Sequence, residues 1–111
     1  MEDNKKIFNL LGLATKAGKT VSGEFTTEKS VKDGKAHLVV VSTDASANTK
    51  KMFFNMCTYY KVPIYIFGDK EELGHAIGKE MRASLAVVDA GFSKALVKQI
   101  LLNGGSEYEG E

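Results

Sequence analysis

The run His37-Leu38-Val39-Val40-Val41 constrains this fold more than any other segment, because it is apolar and β-branched without polar alternation. A strand of that kind is buried on both faces, which happens in sheets covered by helices on both sides. The flanking sequence supplies those helices. Ile7, Leu10, Leu11 and Ala14 fall at i, i+3, i+4 and i+7, which predicts an amphipathic helix over about residues 4–17, ended by Gly18. Thr20-Val21-Ser22 reads as a short strand broken by Gly23, and a second helix follows to Gly34. Ser46 can cap a third helix, whose inner stripe is Phe53, Met56, Cys57 and Tyr60. Pro63 stops helix and introduces the strand Ile64-Tyr65-Ile66-Phe67. Asp69 and Glu72 have capping-box spacing for a fourth helix, with Leu73, Ala76 and Ile77 inward. Leu85-Ala86-Val87-Val88 is a fourth strand, and Leu96, Val97, Ile100 and Leu101 mark a last helix. The order αβαβαβαβα predicts an α/β fold: a three-layer αβα sandwich around a four-stranded mixed sheet, with Val39, Val41, Ile66 and Val87 buried. The direction of the short first strand is not fixed by its sequence.

The 111 residues suit one domain, read here as residues 1–103 followed by a flexible acidic tail, 104–111. The start, Met1-Glu2-Asp3-Asn4-Lys5-Lys6, has no long apolar run behind it, so neither a signal peptide nor a membrane span is expected. Cys57 is the single cysteine, which excludes a disulfide framework and a thiolate metal cluster. A reducing, cytoplasmic setting fits. The net charge of +1 hides an asymmetry: Glu107, Glu109 and Glu111 sit in the last five residues, and without them fifteen bases face eleven acids. Lys16, Lys19, Lys29, Lys32 and Lys35 fall within twenty residues, a density compatible with phosphate contact and equally with a solvated lysine-rich face.

Two patterns imitate catalytic chemistry. Gly12-Leu13-Ala14-Thr15-Lys16-Ala17-Gly18-Lys19-Thr20 looks like a P-loop, but five residues separate the first glycine from Gly-Lys-Thr where four are needed. It also follows a helix and precedes a strand, the reverse of the required order. Cys57, with His37 or His75 as base, could form a nucleophilic pair, but it lies on the apolar stripe of the third helix. Asp44 and Asp89 follow buried strands, where catalytic carboxylates often sit, and both equally suit helix starts. With no second carboxylate or metal-ligand spacing beside them, the chain reads as a non-enzyme without metal or cofactor.

Gly23-Glu24-Phe25-Thr26-Thr27-Glu28-Lys29, then Val31, Gly34 and Leu38-Val39-Val40-Val41, resembles the ribosomal protein family often called L-seven-Ae/L-thirty-e. So do Val62-Pro63-Ile64-Tyr65 and Glu72-Leu73-Gly74-His75-Ala76-Ile77-Gly78, in matching order and spacing. The stretch Asp44–Lys51, with Cys57 and Tyr59-Tyr60, is most similar to the bacterial YlxQ-like branch. The resemblance implies an αβα sandwich that binds kink-turns, bent RNA duplexes with a bulge beside tandem sheared G·A pairs. A kink opens the otherwise unreadable major groove and crowds phosphates, so a helix start with free amides can meet the backbone. The implied RNA-binding residues are Gly23, Glu24, Phe25, Thr26, Lys29 and Lys32, with Lys79, Glu80, Met81 and Arg82 in the loop before the last strand. Gly23 would allow close approach, Lys29 would reach a guanine edge or a phosphate, Met81 would pack on an extruded base, and Lys79 and Arg82 would balance phosphate charge. Many members carry Asn-Glu where this chain has Phe25 and Thr26, so amide readout of guanine does not carry over.

The expected function is thus recognition of kink-turn or related structured RNA, ribosomal RNA foremost, by a monomeric cytoplasmic protein that stabilises the bend. Association with the ribosome belongs to the same expectation. Two other readings stay open: a protein-docking module with Phe25 as an anchor, and a small enzyme.

Overall fold

The computed structural model describes residues 4–110. The elements run α1 (Asn4–Lys16), β1 (Thr20–Ser22), α2 (Glu24–Lys32), β2 (Leu38–Val41), α3 (Ala47–Tyr60), β3 (Ile64–Ile66), α4 (Lys70–Ala76), β4 (Ser84–Val87) and α5 (Ala90–Leu102). The sheet order is β1-β4-β2-β3. Strands β2 and β3 are parallel, while β4 runs antiparallel to both β2 and β1.

The alternation of side chains along β2 divides the core. Leu38 and Val40 face Ile7, Leu11, Leu73, Leu96 and Ile100, so α1, α4 and α5 cover one side. Val39 and Val41 face Val31, Phe53 and Cys57, so α2 and α3 cover the other. All four residues of β2 are buried, as an uninterrupted apolar run demands. The layers are those of an αβα sandwich.

The caps follow the sequence. Ser46 accepts a hydrogen bond from the Thr49 amide, and Asp69 and Glu72 form a reciprocal capping box. Several expected core positions differ: Leu10, Met56, Ala76 and Val97 are half-buried, and Leu101 is exposed. Ile66 is only half-buried, as the last residue of the edge strand β3, whose first two residues are buried. Tyr60 is exposed, because the α3 stripe has run past the sheet by the last helical residue. The tail expected to be flexible lies along the free edge of β3. Glu107 bridges Tyr65, the Tyr108 amide donates to the Ile64 carbonyl at 2.8 Å, and the Tyr108 ring stands edge-on to Phe54. An edge strand offers unpaired backbone groups, and no side-chain period in the tail announces that it will meet them.

Three strand ends converge with one strand start at one pole. Ser22 is opposite Leu85, and Val41 is paired with Ser84 and Ile66. The loops leaving β1, β2 and β3 and the loop entering β4 therefore share one end of the sheet.

Candidate functional site

The site is built on Gly23. Its amide donates to the Ser84 carbonyl at 3.0 Å, which fastens the end of β1 beside the start of β4. Its dihedrals, φ 91° and ψ 155°, are open to glycine and strained for any residue with a Cβ. A Cβ at Gly23 would meet no protein atom within 4 Å, so the surface above it is open to a ligand. Helix α2 begins at Glu24 with no side-chain cap, and its first-turn amides point into that space. The positive end of the helix dipole adds to them.

Phe25 is 77% exposed, so it does not pack inward. Glu24 and Thr26 are exposed beside it. Lys29 donates from Nζ to Asp33 Oδ2 at 3.0 Å, directed away from Gly23. A solvent-exposed pair of this kind is worth about 0–1 kcal/mol, so a better partner can take the lysine. Lys32 is held by Glu28 at 2.9 Å, and that hydrogen bond raises its pKa. It lies nine positions after Gly23, about 13 Å along the helix axis, at the far end of the surface.

The second segment is the α4–β4 loop. Gly78 turns it with φ 73°, and the Lys79 amide donates to the Gly74 carbonyl at 2.8 Å. The Arg82 amide donates to the Lys70 carbonyl at 3.0 Å. Arg82 Nε then donates to Ser22 Oγ at 3.1 Å, and Nη1 to the Met81 carbonyl at 3.0 Å. The guanidinium thus ties the loop to the residue before Gly23. It has no carboxylate partner among the described residues. Met81 is 60% exposed, and Lys79 and Glu80 are also exposed. Gly23, Thr26, Lys79 and Arg82 gather around this pole, with Phe25 and Met81 exposed from its two segments, whereas Lys29 and Lys32 are turned toward their own helix.

Sequence reasoning missed two residues. Ser22 reads as the last residue of a minor strand, yet it anchors Arg82. Gly74 lies mid-helix, but the Glu80 carbonyl occupies the place of a Cβ there. Its signal was an unexplained glycine inside a helical pattern.

The candidate catalytic groups are placed elsewhere. Burial pushes the Cys57 thiol up to about 12, so it carries no appreciable thiolate at neutral pH. Cys57 belongs to the α2/α3 side of the sheet, while α4, which carries His75, covers the other. Asp44 Oδ1 accepts from the Lys70 amide at 3.0 Å, and Asp89 caps α5 through the Phe92 amide. Both carboxylates are engaged in holding helix starts. Among the described residues no group of three His, Cys, Asp or Glu side chains is arranged for a metal, and no helix is long and apolar enough to cross a membrane.

Comparison with known proteins gives a consistent result. Residues 5–97 match the model of the ribosomal protein L7Ae/L30e/S12e/Gadd45 family. The RNA-binding protein YlxQ of Bacillus subtilis is 46% identical over 90 residues, covering 81% of this chain and 90% of the relative. A solved protein of unknown function from Bacillus halodurans superposes with a TM-score of 0.83 at 41% identity, over 86% of this chain and 96% of that one. The 15.5kD RNA binding protein of Giardia lamblia superposes with a TM-score of 0.75 at 20% identity, over 93% and 89% of the two chains, and so shares the fold.

Proposed function

Because the chain belongs to the ribosomal protein L7Ae/L30e/S12e/Gadd45 family, in its YlxQ-like bacterial branch, we propose that it binds structured RNA of the kink-turn type and stabilises the bend without catalysis. The observation that carries this reading is the fastening of two segments into one surface by the Arg82–Ser22 hydrogen bond at 3.1 Å. It sets the uncapped start of α2 beside the loop carrying Lys79 and Met81. Bound RNA would lay its kinked backbone over the glycine, where amides and helix dipole meet phosphate. Arg82 already lacks a carboxylate partner among the described residues, and Lys29 has only a weak one to leave. Phe25 and Met81 supply apolar surface on which unstacked bases can pack, which suits RNA recognition at irregular sites. With Phe25 and Thr26 in place of amide and carboxylate side chains, shape and stacking carry more of the recognition than base-edge hydrogen bonds. Ribosomal RNA is the proposed target class, and a monomer in the cytoplasm is the proposed form.

The test is titration of the protein against a kink-turn RNA and against the same RNA with its G·A pairs replaced, at several salt concentrations. The kink-turn should bind more tightly, with affinity falling steeply as salt rises. Equal affinity for both RNAs refutes the kink-turn reading. The 77% exposure of Phe25 also favours a second reading, in which this face docks a protein. Absence of any saturable RNA binding would favour that one.

A further inference from the structure

The segment resembling a P-loop borders the surface just described and extends it. Its Thr15 and Thr20 come together at 2.9 Å between hydroxyl oxygens, on the wall of a pocket of about 340 Å³. Ser22, Thr26, Lys79 and Arg82 line the same pocket. We propose that this pocket, between the end of α1, the edge strand β1 and the α4–β4 loop, is a binding site for a ribose-phosphate unit.

The donors and acceptors that line the pocket divide between two sides. Ser22 Oγ accepts from Arg82 Nε, so its own hydroxyl proton remains available. Thr26 is exposed, and its hydroxyl is likewise available. Arg82 uses two of its five N–H groups and keeps three. Lys79 adds an ammonium group. One side of the pocket is therefore rich in donors, two of its groups cationic, with no carboxylate among the lining residues. A half-buried guanidinium with no carboxylate partner among the described residues attracts an anion, and its planar fork fits phosphate oxygens.

The other side is different. Thr15 donates its single proton to the Leu11 carbonyl at 2.9 Å. The contact between the two threonines must then use the Thr20 proton. Thr20, which lines the pocket, is left with lone pairs on Oγ1 and no proton to give. It can accept from a hydroxyl and repels a bare anion. A phosphate ion alone satisfies only the donor side and fills a small part of the volume. A sugar phosphate with a free hydroxyl satisfies both. The 2′-hydroxyl of RNA is such a group, and it is what distinguishes RNA from DNA at a given site.

The pocket adjoins Thr26 in the first turn of α2, so a strand crossing Gly23 can continue into it. In that form the inference rests on the RNA-binding reading. The chemistry also admits a free ribonucleotide, and the experiment separates the two sources. Threonine methyl signals of the full-length protein are followed during titration with ribose 5-phosphate, with 2-deoxyribose 5-phosphate and with kink-turn RNA. In the millimolar range ribose 5-phosphate should shift Thr15, Thr20 and Thr26 and leave Thr43 and Thr58 in place. The deoxy form should bind about three- to tenfold more weakly, the worth of one hydrogen bond. Thr20→Val should erase that difference, and Thr20→Ser, which keeps the hydroxyl, should retain it. The same methyl shifts on RNA addition identify an RNA strand as the source; shifts with the sugar phosphate alone identify a free ribonucleotide. No shift at these three threonines with either ribose-containing probe overturns the site. An equal response to the ribose and deoxyribose forms overturns the assignment of Thr20. If RNA binds without moving these methyls and ribose 5-phosphate does not bind, the pocket fails while the RNA reading stands. If RNA does not bind but the sugar phosphate does, the reverse holds.

Discussion

Gly74→Ala sets two effects against each other, and their magnitudes decide the outcome. Gly74 is buried within α4 and has ordinary helical geometry, since it is not among the positive-φ glycines. Helix propensity alone predicts that alanine stabilises such a position by about 1 kcal/mol. The added Cβ, however, would overlap the Glu80 carbonyl oxygen and stand 2.5 Å from its carbon and 3.2 Å from Met81 Cα. These are backbone atoms, so no side-chain rotation relieves the clash and the loop itself must move. Overpacking of this kind costs about 3 kcal/mol, at the upper end of the usual range. The Lys79 amide bond to the Gly74 carbonyl, at 2.8 Å, goes with the displaced loop, adding about 1 kcal/mol. The net expectation is a loss of about 3 kcal/mol, or roughly 13 °C in Tm. Because the displaced loop carries Met81 and Arg82, kink-turn affinity should fall by about tenfold or more, equivalent to about 1.4 kcal/mol. Urea titration reads the first effect; RNA titration well below the variant's Tm reads the second. A Gly74→Ala protein as stable as wild type would show that the contact costs no more than the propensity gain. A destabilised variant with unchanged affinity would show that loop position does not matter for RNA.

Arg82→Ala should weaken all RNA targets similarly and make the salt slope shallower by about one unit or less, while Lys29→Ala should cost about 1–3 kcal/mol more for kinked than for straight duplex if a base contact is lost; titrations against both RNAs check this. Gly23→Val should impair binding more than either, since φ 91° strains any β-branched residue, and circular dichroism separates loss of fold from loss of affinity. Cys57→Ala should leave RNA binding intact and cost about 1–2 kcal/mol in urea titrations. The folded thiol is pushed up to about 12 from 9.0; its contribution is therefore fully present below pH 9.0 and lost as pH rises from there toward 12, so wild type should lose more stability than Cys57→Ala over that range. Removing residues 104–111 uncovers the β3 edge and Phe54; the expected loss is about 1–2 kcal/mol, with faster aggregation seen by light scattering at high concentration.

Local information determined the elements. The apolar run Leu38–Val41 could only be a strand covered on both faces, and the structure buries all of it. The hydroxyl and carboxylates of Ser46, Asp69 and Glu72 act on amides within three residues, so they were legible as helix starts. Gly23 was legible as a break because its backbone dihedrals exclude side chains locally. What the tertiary structure decided was every relation between distant segments. The direction of β1 came from its pairing with β4, where Val21 meets Ala86. The Arg82–Ser22 bond spans sixty positions, and no sequence period records it. Gly74 is needed only because a later loop crosses it, and Tyr108 finds Phe54 only after β3 is left as an edge. Helix and strand periods arise from contacts repeated every few residues, so a single sequence displays them. A surface assembled at the shared ends of several strands depends on the order in which those strands pair, and that order is fixed only when the chain packs.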